Sequence, residues 1–168
     1  MTDRLVVLEI TRMEAVHLAG LVTQFAELLS ETTDETRTTP DDPALARLVP
    51  DAYSEDAEAS REFRELTQRD LLDRRSTDAA TVLASLHSVS GPTLVTDDEE
   101  ALTKIAIVEL DAETLGCWLR TLAALRLVLA SRLGIVDEAD HDDSDPRFGI
   151  YDWLGYRLDG LVQAAERD

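Results

Sequence analysis

The chain has 168 residues, enough for one full core and too few for two, so a single domain over 1–168 is expected. Its 35 acids against 16 bases leave a net charge of −19, which excludes general affinity for DNA, RNA or anionic lipid because phosphate binding needs a positive surface. A basic protein partner fits that balance better, and direct nucleic-acid binding is expected to be absent or weak.

A single cysteine can form no internal disulfide and suits a reducing compartment. The start, MTDRLVV, has no cationic segment followed by a signal-length apolar run, and no stretch is expected to approach the ~20 apolar residues of a membrane span. These features give the expectation of a soluble, cytoplasmic protein.

Arg4 to Ile10, RLVVLEI, is short, apolar and β-branched, which predicts a strand. Thr11 with Glu14 forms a capping box, and Val16, Leu18, Leu21, Val22, Phe25, Leu28 and Leu29 follow at helical spacing to about Ser30. His17 falls in the second turn of this helix with no second ligand at metal spacing, so it is read as an ordinary helical side chain.

The next stretch, to about residue 52, is rich in Thr, Asp and Pro and predicts a connection, mobile over about 31–42. Within it Asp42 can cap a short helical turn, Pro43 suits its first position, and Leu45 and Leu48 can pin it to the core. Tyr53 to Leu66 predicts another helix, capped by Ser54, with Phe63 and Leu66 facing inward. Thr67 with Asp70 repeats the capping-box pattern, which predicts a bend or a new start there, and the following helix runs to about Leu86, burying Leu71, Leu72, Val82, Leu83 and Leu86.

Arg61, Arg64, Arg69, Arg74 and Arg75 cluster in this region, but Glu65 and Asp70 stand four residues before Arg69 and Arg74, and Glu58, Glu62 and Asp73 offset most of the rest. That pattern predicts a solvated, salt-bridged face in preference to a phosphate-binding one. Residues 88–103, with Gly91-Pro92 and Asp97-Asp98-Glu99-Glu100, predict a loop, mobile over about 88–100, with a turn of helix before Lys104. Ile105 to Leu110, IAIVEL, is the second strand-like run.

Asp111 to Gly134 has the grammar of a buried central helix, with Asp111 as N-cap, Arg132 in the last turn and Gly134 able to take the left-handed position beyond it. Leu115, Trp118, Leu119, Leu122, Leu125, Leu129 and Leu133 share one face, and Cys117, Thr121, Ala124 and Val128 form a second, smaller-sided stripe. At an offset of about one hundred residues, Val7-Leu8-Glu9-Ile10-Thr11 echoes Ile107-Val108-Glu109-Leu110-Asp111, strand then cap then long helix. Two such strands are expected to pair, since either alone would leave its backbone groups unsatisfied.

The loop over 135–147 carries Asp137, Glu138, Asp140, Asp142, Asp143 and Asp145 around His141 but lacks the ligand spacing, sixth-position Gly and distal Glu of an EF-hand, so it is read as solvated and mobile with no metal site. Ile150, Trp153, Leu154, Arg157, Leu158, Leu161 and Val162 define a closing amphipathic helix that should dock on the central one.

No phosphate loop, dinucleotide fingerprint, zinc-protease motif, C-x-x-C or nucleophile elbow occurs, and His17, His87 and His141 lie in unrelated segments. No catalytic residue, cofactor or metal is therefore expected. Cys117 is the one candidate redox thiol, although its place in the stripe with Ala124 and Val128 suggests a small core side chain.

Three stretches, LVPDAYSEDAEASREFRELTQRDL at 48–71, LDAETLGCWLRTLAALRLVLASRLG at 110–134 and YDWLGYRLDGLV at 151–162, resemble the actinobacterial oxidative stress regulator family (AosR). The resemblance implies a non-enzymatic regulator linked to redox state and acting through contacts with the transcription machinery. The family's gene neighbourhood raises a Clp proteolysis adaptor as the alternative, and an unrecognised enzyme is the third class. An internal disulfide switch would need two cysteines, and Cys117 stands alone. The expected architecture is mainly α, a helical bundle around the buried helix 111–134 with a small two-stranded β ribbon. The sequence leaves room for a homodimer.

Overall fold

The computed structural model describes residues 4–31, 42–49, 55–90 and 98–167. In chain order it runs β1 (Val6–Thr11), α1 (Arg12–Glu31), α2 (Pro43–Leu48), α3 (Ala57–Ser90), α4 (Glu99–Thr103), β2 (Ile105–Leu110), α5 (Ala112–Leu133), two short 3-10 turns and α6 (Gly149–Glu166). The fold is mainly α with a two-stranded antiparallel ribbon, β1 against β2.

Both capping predictions for the long helices that follow the strands hold. Thr11 Oγ1 accepts from Glu14 N at 3.2 Å while Glu14 Oε2 accepts from Thr11 N at 2.9 Å, the reciprocal pair of a capping box. Asp111 Oδ1 accepts from Thr114 N at 2.8 Å. At the other end of α5, Gly134 takes φ 74°, and the bonds from Gly134 N to Ser131 O and from Ile135 N to Ala130 O close a Schellman motif. Ile135 then packs on Ala130 and Phe148 in a small second cluster.

α5 is central, as its two apolar stripes require. It packs against α1, α2, α3, α6 and β2, and buries Leu115, Cys117, Trp118, Thr121, Leu122, Ala124 and Leu125. Contrary to the expectation that no stretch approaches a membrane span, α5 has that length and hydropathy, the one helix among the described residues to do so, and 44% of its most apolar window is buried against the rest of the fold. Ala15, Leu18, Val22 and Phe25 of α1 are buried at the positions equivalent to Leu115, Trp118, Leu122 and Leu125, so the sequence echo corresponds to a shared packing pattern. The short α2 forms as expected: Asp42 Oδ1 accepts from Ala44 N, Pro43 sits in the first turn, and Leu45 and Leu48 are buried. α6 docks on α5.

The long helix α3 departs from expectation. It is continuous through Thr67, whose hydroxyl donates to Phe63 O at 2.7 Å, so the local Thr-x-x-Asp pattern does not start a new helix. Asp56 provides the N-terminal cap, accepting from Glu58 N and Ala59 N; Ser54 lies outside the described residues. Phe63 and Leu66, expected inside, are 44% and 79% exposed. Leu72, Ala79, Val82 and Leu86 fix the phase of the helix, and at ~100° per residue Phe63 falls nine residues and so about 180° from Leu72. Ser60 and Gln68 occupy the inward face instead.

In the arginine-rich part of α3, Arg61, Arg69 and Arg74 are exposed and Arg64 and Arg75 are half-buried, and Glu65 pairs with Arg61 at 4.0 Å. Residues 32–41 and 91–97, which hold most of two expected mobile connections, lie outside the described residues.

Candidate functional site

Cys117, the residue singled out for redox chemistry, is buried at the α3–α5 interface. Asp78 lies in register with Val82 and Leu86 on the inward face of α3, an acid at a core phase, and it receives Arg120 in a fork of 2.7 and 2.8 Å. Arg120 Nη2 also reaches Cys117 Sγ at 3.6 Å. Burial, then a hydrogen bond to Asp78 and that carboxylate's charge, push the thiol above its ordinary range, with a hydrogen bond to Thr81 and the charge of Arg120 acting the other way. The Arg120 bond, opposed by burial, holds Asp78 below the usual carboxylate range. A thiol beside a carboxylate and out of solvent is a poor nucleophile, so the group reads as a closed packing and ion-pair element.

A second cluster was not anticipated. Glu14 leaves the capping box with its other oxygen free, and Oε1 accepts from Trp153 Nε1 at 2.9 Å and from Arg157 Nη2 at 2.7 Å. Burial alone would raise its pKa; the bonds from Arg157, Thr11 N–H, the Trp153 indole and the Thr11 hydroxyl outweigh it and lower the group from 4.5 to about 2. Arg157 Nη1 also donates to Glu9 O at 2.9 Å. The signal in the sequence was Arg157 itself, a charge inside the apolar stripe of α6.

The acidic loop after α5 is ordered by its own carboxylates. Asp137 caps Glu138–Asp140, Asp140 accepts from Val136 N and Asp137 N, and Asp145 accepts from Arg147 N. His141 stacks near Phe148 and Tyr151, at 5.1 and 5.9 Å between centroids, and its ring nitrogens face Asp152 at 2.6 Å and Asp143 at 3.3 Å. His141, Asp143 and Asp152 bring three ligand atoms within 4.8 Å of one another, with Asp143 almost fully exposed. His141 contacts both carboxylates, one of them solvated, and so forms a surface cross-link from loop to helix α6.

His17 is exposed and lines an open, largely apolar groove of about 610 Å³ between α1 and the start of α6, with Leu21, Ile150 and Trp153. His87 is exposed near the end of α3. The structure thus brings none of the three histidines together.

The ribbon has a buried and an open face. Val6, Leu8, Ile10, Val108 and Leu110 turn into the core, whereas Leu5, Val7, Ile105 and Ile107 are 53%, 56%, 66% and 55% exposed. Glu9 and Glu109 share the outer face, paired across the ribbon with Ile107 and Val7.

The described residues thus form a mainly helical fold in which Asp78 with Arg120 and Glu14 with Arg157 pair between elements, and the outer face of the β ribbon carries exposed apolar side chains. The chain belongs to the family described as Domain of unknown function (DUF2017), which matches residues 1–165. No curated protein and no solved structure matches it.

Proposed function

We propose that this protein is a non-enzymatic regulator that works by binding another protein, with a transcription component as the partner class drawn from the resemblance to oxidative stress regulators. The observation that carries the reading is the contrast between closed polar clusters and an open apolar ribbon face. Asp78 pairs with Arg120 and Glu14 with Arg157 between elements of the fold, while Leu5, Val7, Ile105 and Ile107 remain in water. An enzyme needs convergent polar groups left free for substrate; a binding module needs uncovered apolar area with a polar rim. The net charge of −19 selects basic protein surfaces and argues for contact with protein in place of DNA.

Capture on the immobilised protein from a lysate of its native cell, with and without nuclease, tests this. Polymerase or a sigma factor retained after nuclease is the expected result. Recovery of Clp components alone would favour the adaptor alternative, and loss of all partners on nuclease treatment would refute direct protein contact.

A further inference from the structure

The hydrogen-bond register of the ribbon shows which backbone groups are spoken for. Arg12 N donates to Lys104 O at 3.0 Å, which makes residues 12 and 104 a hydrogen-bonded pair of the antiparallel ladder. Alternation then makes Ile10 with Ala106, Leu8 with Val108 and Val6 with Leu110 the bonded pairs, and turns the backbone N–H and C=O of the odd-numbered residues to the outer edges. On β1 Glu14 takes the outward N–H of Thr11 and Arg157 the outward C=O of Glu9, while the outward groups of Val7 and the N–H of Glu9 have no hydrogen-bond partner among the described residues. On β2 the outward groups of Ile105, Ile107 and Glu109 have no hydrogen-bond partner among the described residues. The β1 edge is capped at two groups, and the β2 edge is open along its length.

Beside the open edge runs a groove of about 680 Å³, walled on the α3 side by Thr81, Ala84, Ser85 and Ser88 and at its end by Thr114. These side chains are small and uncharged, and the one charge lining the groove is Glu109. Glu9 lies across the ribbon on the same outer face, Glu113 is exposed just beyond the strand, and Lys104 is the cation at the opposite end.

We propose that β2 accepts an extended segment of a partner protein as a third strand, and that the segment alternates small side chains with basic or branched apolar ones. Main-chain bonds to Ile105, Ile107 and Glu109 would supply general affinity, since an unpaired edge is a template for another strand. Side-chain alternation sets the rest: positions turned toward α3 meet Thr81, Ala84, Ser85 and Ser88 and must be small, while positions on the outer face meet Ile105, Ile107 and Glu109 and favour apolar and basic groups. Charge chooses the occupant. A second copy of this chain would bring another −19 to the edge, whereas a basic segment is drawn to it. This inference rests on the protein-contact reading above and specifies its surface.

The test is selection of binders from a displayed library of random peptides about nine residues long, followed by amide mapping of the complex with the full chain. Ile107→Pro removes one outward N–H without touching the ladder to β1, and Glu109→Lys reverses the one charge of the groove. We expect enriched peptides with basic and branched residues alternating with small ones, slowed amide exchange at Ile105, Ile107 and Glu109 on binding, and affinity reduced about tenfold or more by Ile107→Pro and severalfold by Glu109→Lys. Glu109→Lys, at an exposed position, carries the test if Ile107→Pro does not fold.

No enrichment, enrichment blind to charge, or a concentration-dependent dimer paired through β2 overturns the proposal. Peptides that seat between α1 and α6 and ignore both variants overturn the edge alone, leaving the protein-contact reading to stand or fall on the capture experiment.

Discussion

Glu14→Gln removes a charge from the clasp while keeping its shape, and the structure gives both the size of the effect and its pH dependence. The folded carboxyl titrates at about 2 against 4.5 for the unfolded one, so its contribution is complete above the unfolded value and is lost as pH falls toward the folded one. At ~1.36 kcal/mol per unit, the shift corresponds to about 3 kcal/mol at neutral pH before screening. Glu14 is 26% exposed, and solvent screening reduces the expected effect to about 1.5–2 kcal/mol. At about pH 3 roughly two-fifths of it remains, because the folded group is still mostly ionised and the unfolded one is mostly neutral.

Urea denaturation of both proteins at about pH 7 and about pH 3 measures the two differences directly. The variant should be less stable by about 1.5–2 kcal/mol at the higher pH and by under about 1 kcal/mol at the lower. Equal midpoints at neutral pH, or a gap that widens in acid, would refute the reasoning.

Trp118→Ala should cost about 3–5 kcal/mol, because a side chain 1% exposed leaves a cavity and orphans its bond to Ser85; a melting temperature like that of His141→Ala would contradict the central-helix packing. Cys117 should alkylate slowly in the native state and fast in denaturant, with no peroxide-induced dimer; Asp78→Asn should speed native alkylation by removing the neighbouring negative charge, and fast labelling of the wild type would restore a sensor role. A mobility-shift assay at physiological salt should show no sequence-specific DNA complex, and submicromolar, sequence-preferring binding would refute the charge argument.

What the sequence made legible was whatever local chemistry dictates. Caps at Thr11, Asp42, Asp111 and Gly134 fix helix ends through bonds spanning a few residues, and the period of α5 needs no knowledge of its neighbours. Thr67 misled because a capping box and a mid-helix back-bond look alike in sequence; the continuing burial of Leu72, Val82 and Leu86 decides between them, and that is tertiary. Phe63 and Leu66 were placed inside on hydrophobicity, but the phase set downstream outranks it. The clasp of Glu14, Trp153 and Arg157 joins residues about 140 apart in the chain, a distance no periodic pattern can signal. Arg157 within an apolar stripe could only announce that some acid awaited it.

The repeated strand-and-helix pattern explains why side chains cap part of one ribbon edge and none of the other. With an offset of one hundred, Thr11 corresponds to Asp111, Glu14 to Thr114 and Glu9 to Glu109, and the dyad of the antiparallel pairing passes through Leu8 and Val108. In the first half the carboxylate at position 14 takes the outward N–H of Thr11 and recruits Arg157, which in turn takes the carbonyl of Glu9. In the second half a threonine stands where that glutamate would be. Asp111 caps α5 from Thr114 N, no arginine is drawn to the strand, and the carbonyl of Glu109 is left outward without a partner among the described residues. α6 can flank only one of two equivalent edges, and it flanks the one whose cap supplies a second carboxylate oxygen. Thr114→Glu would place a carboxylate at the corresponding position of the second half, and weaker binding of edge-directed peptides by that variant at unchanged stability would show that an open β2 edge depends on the missing acid.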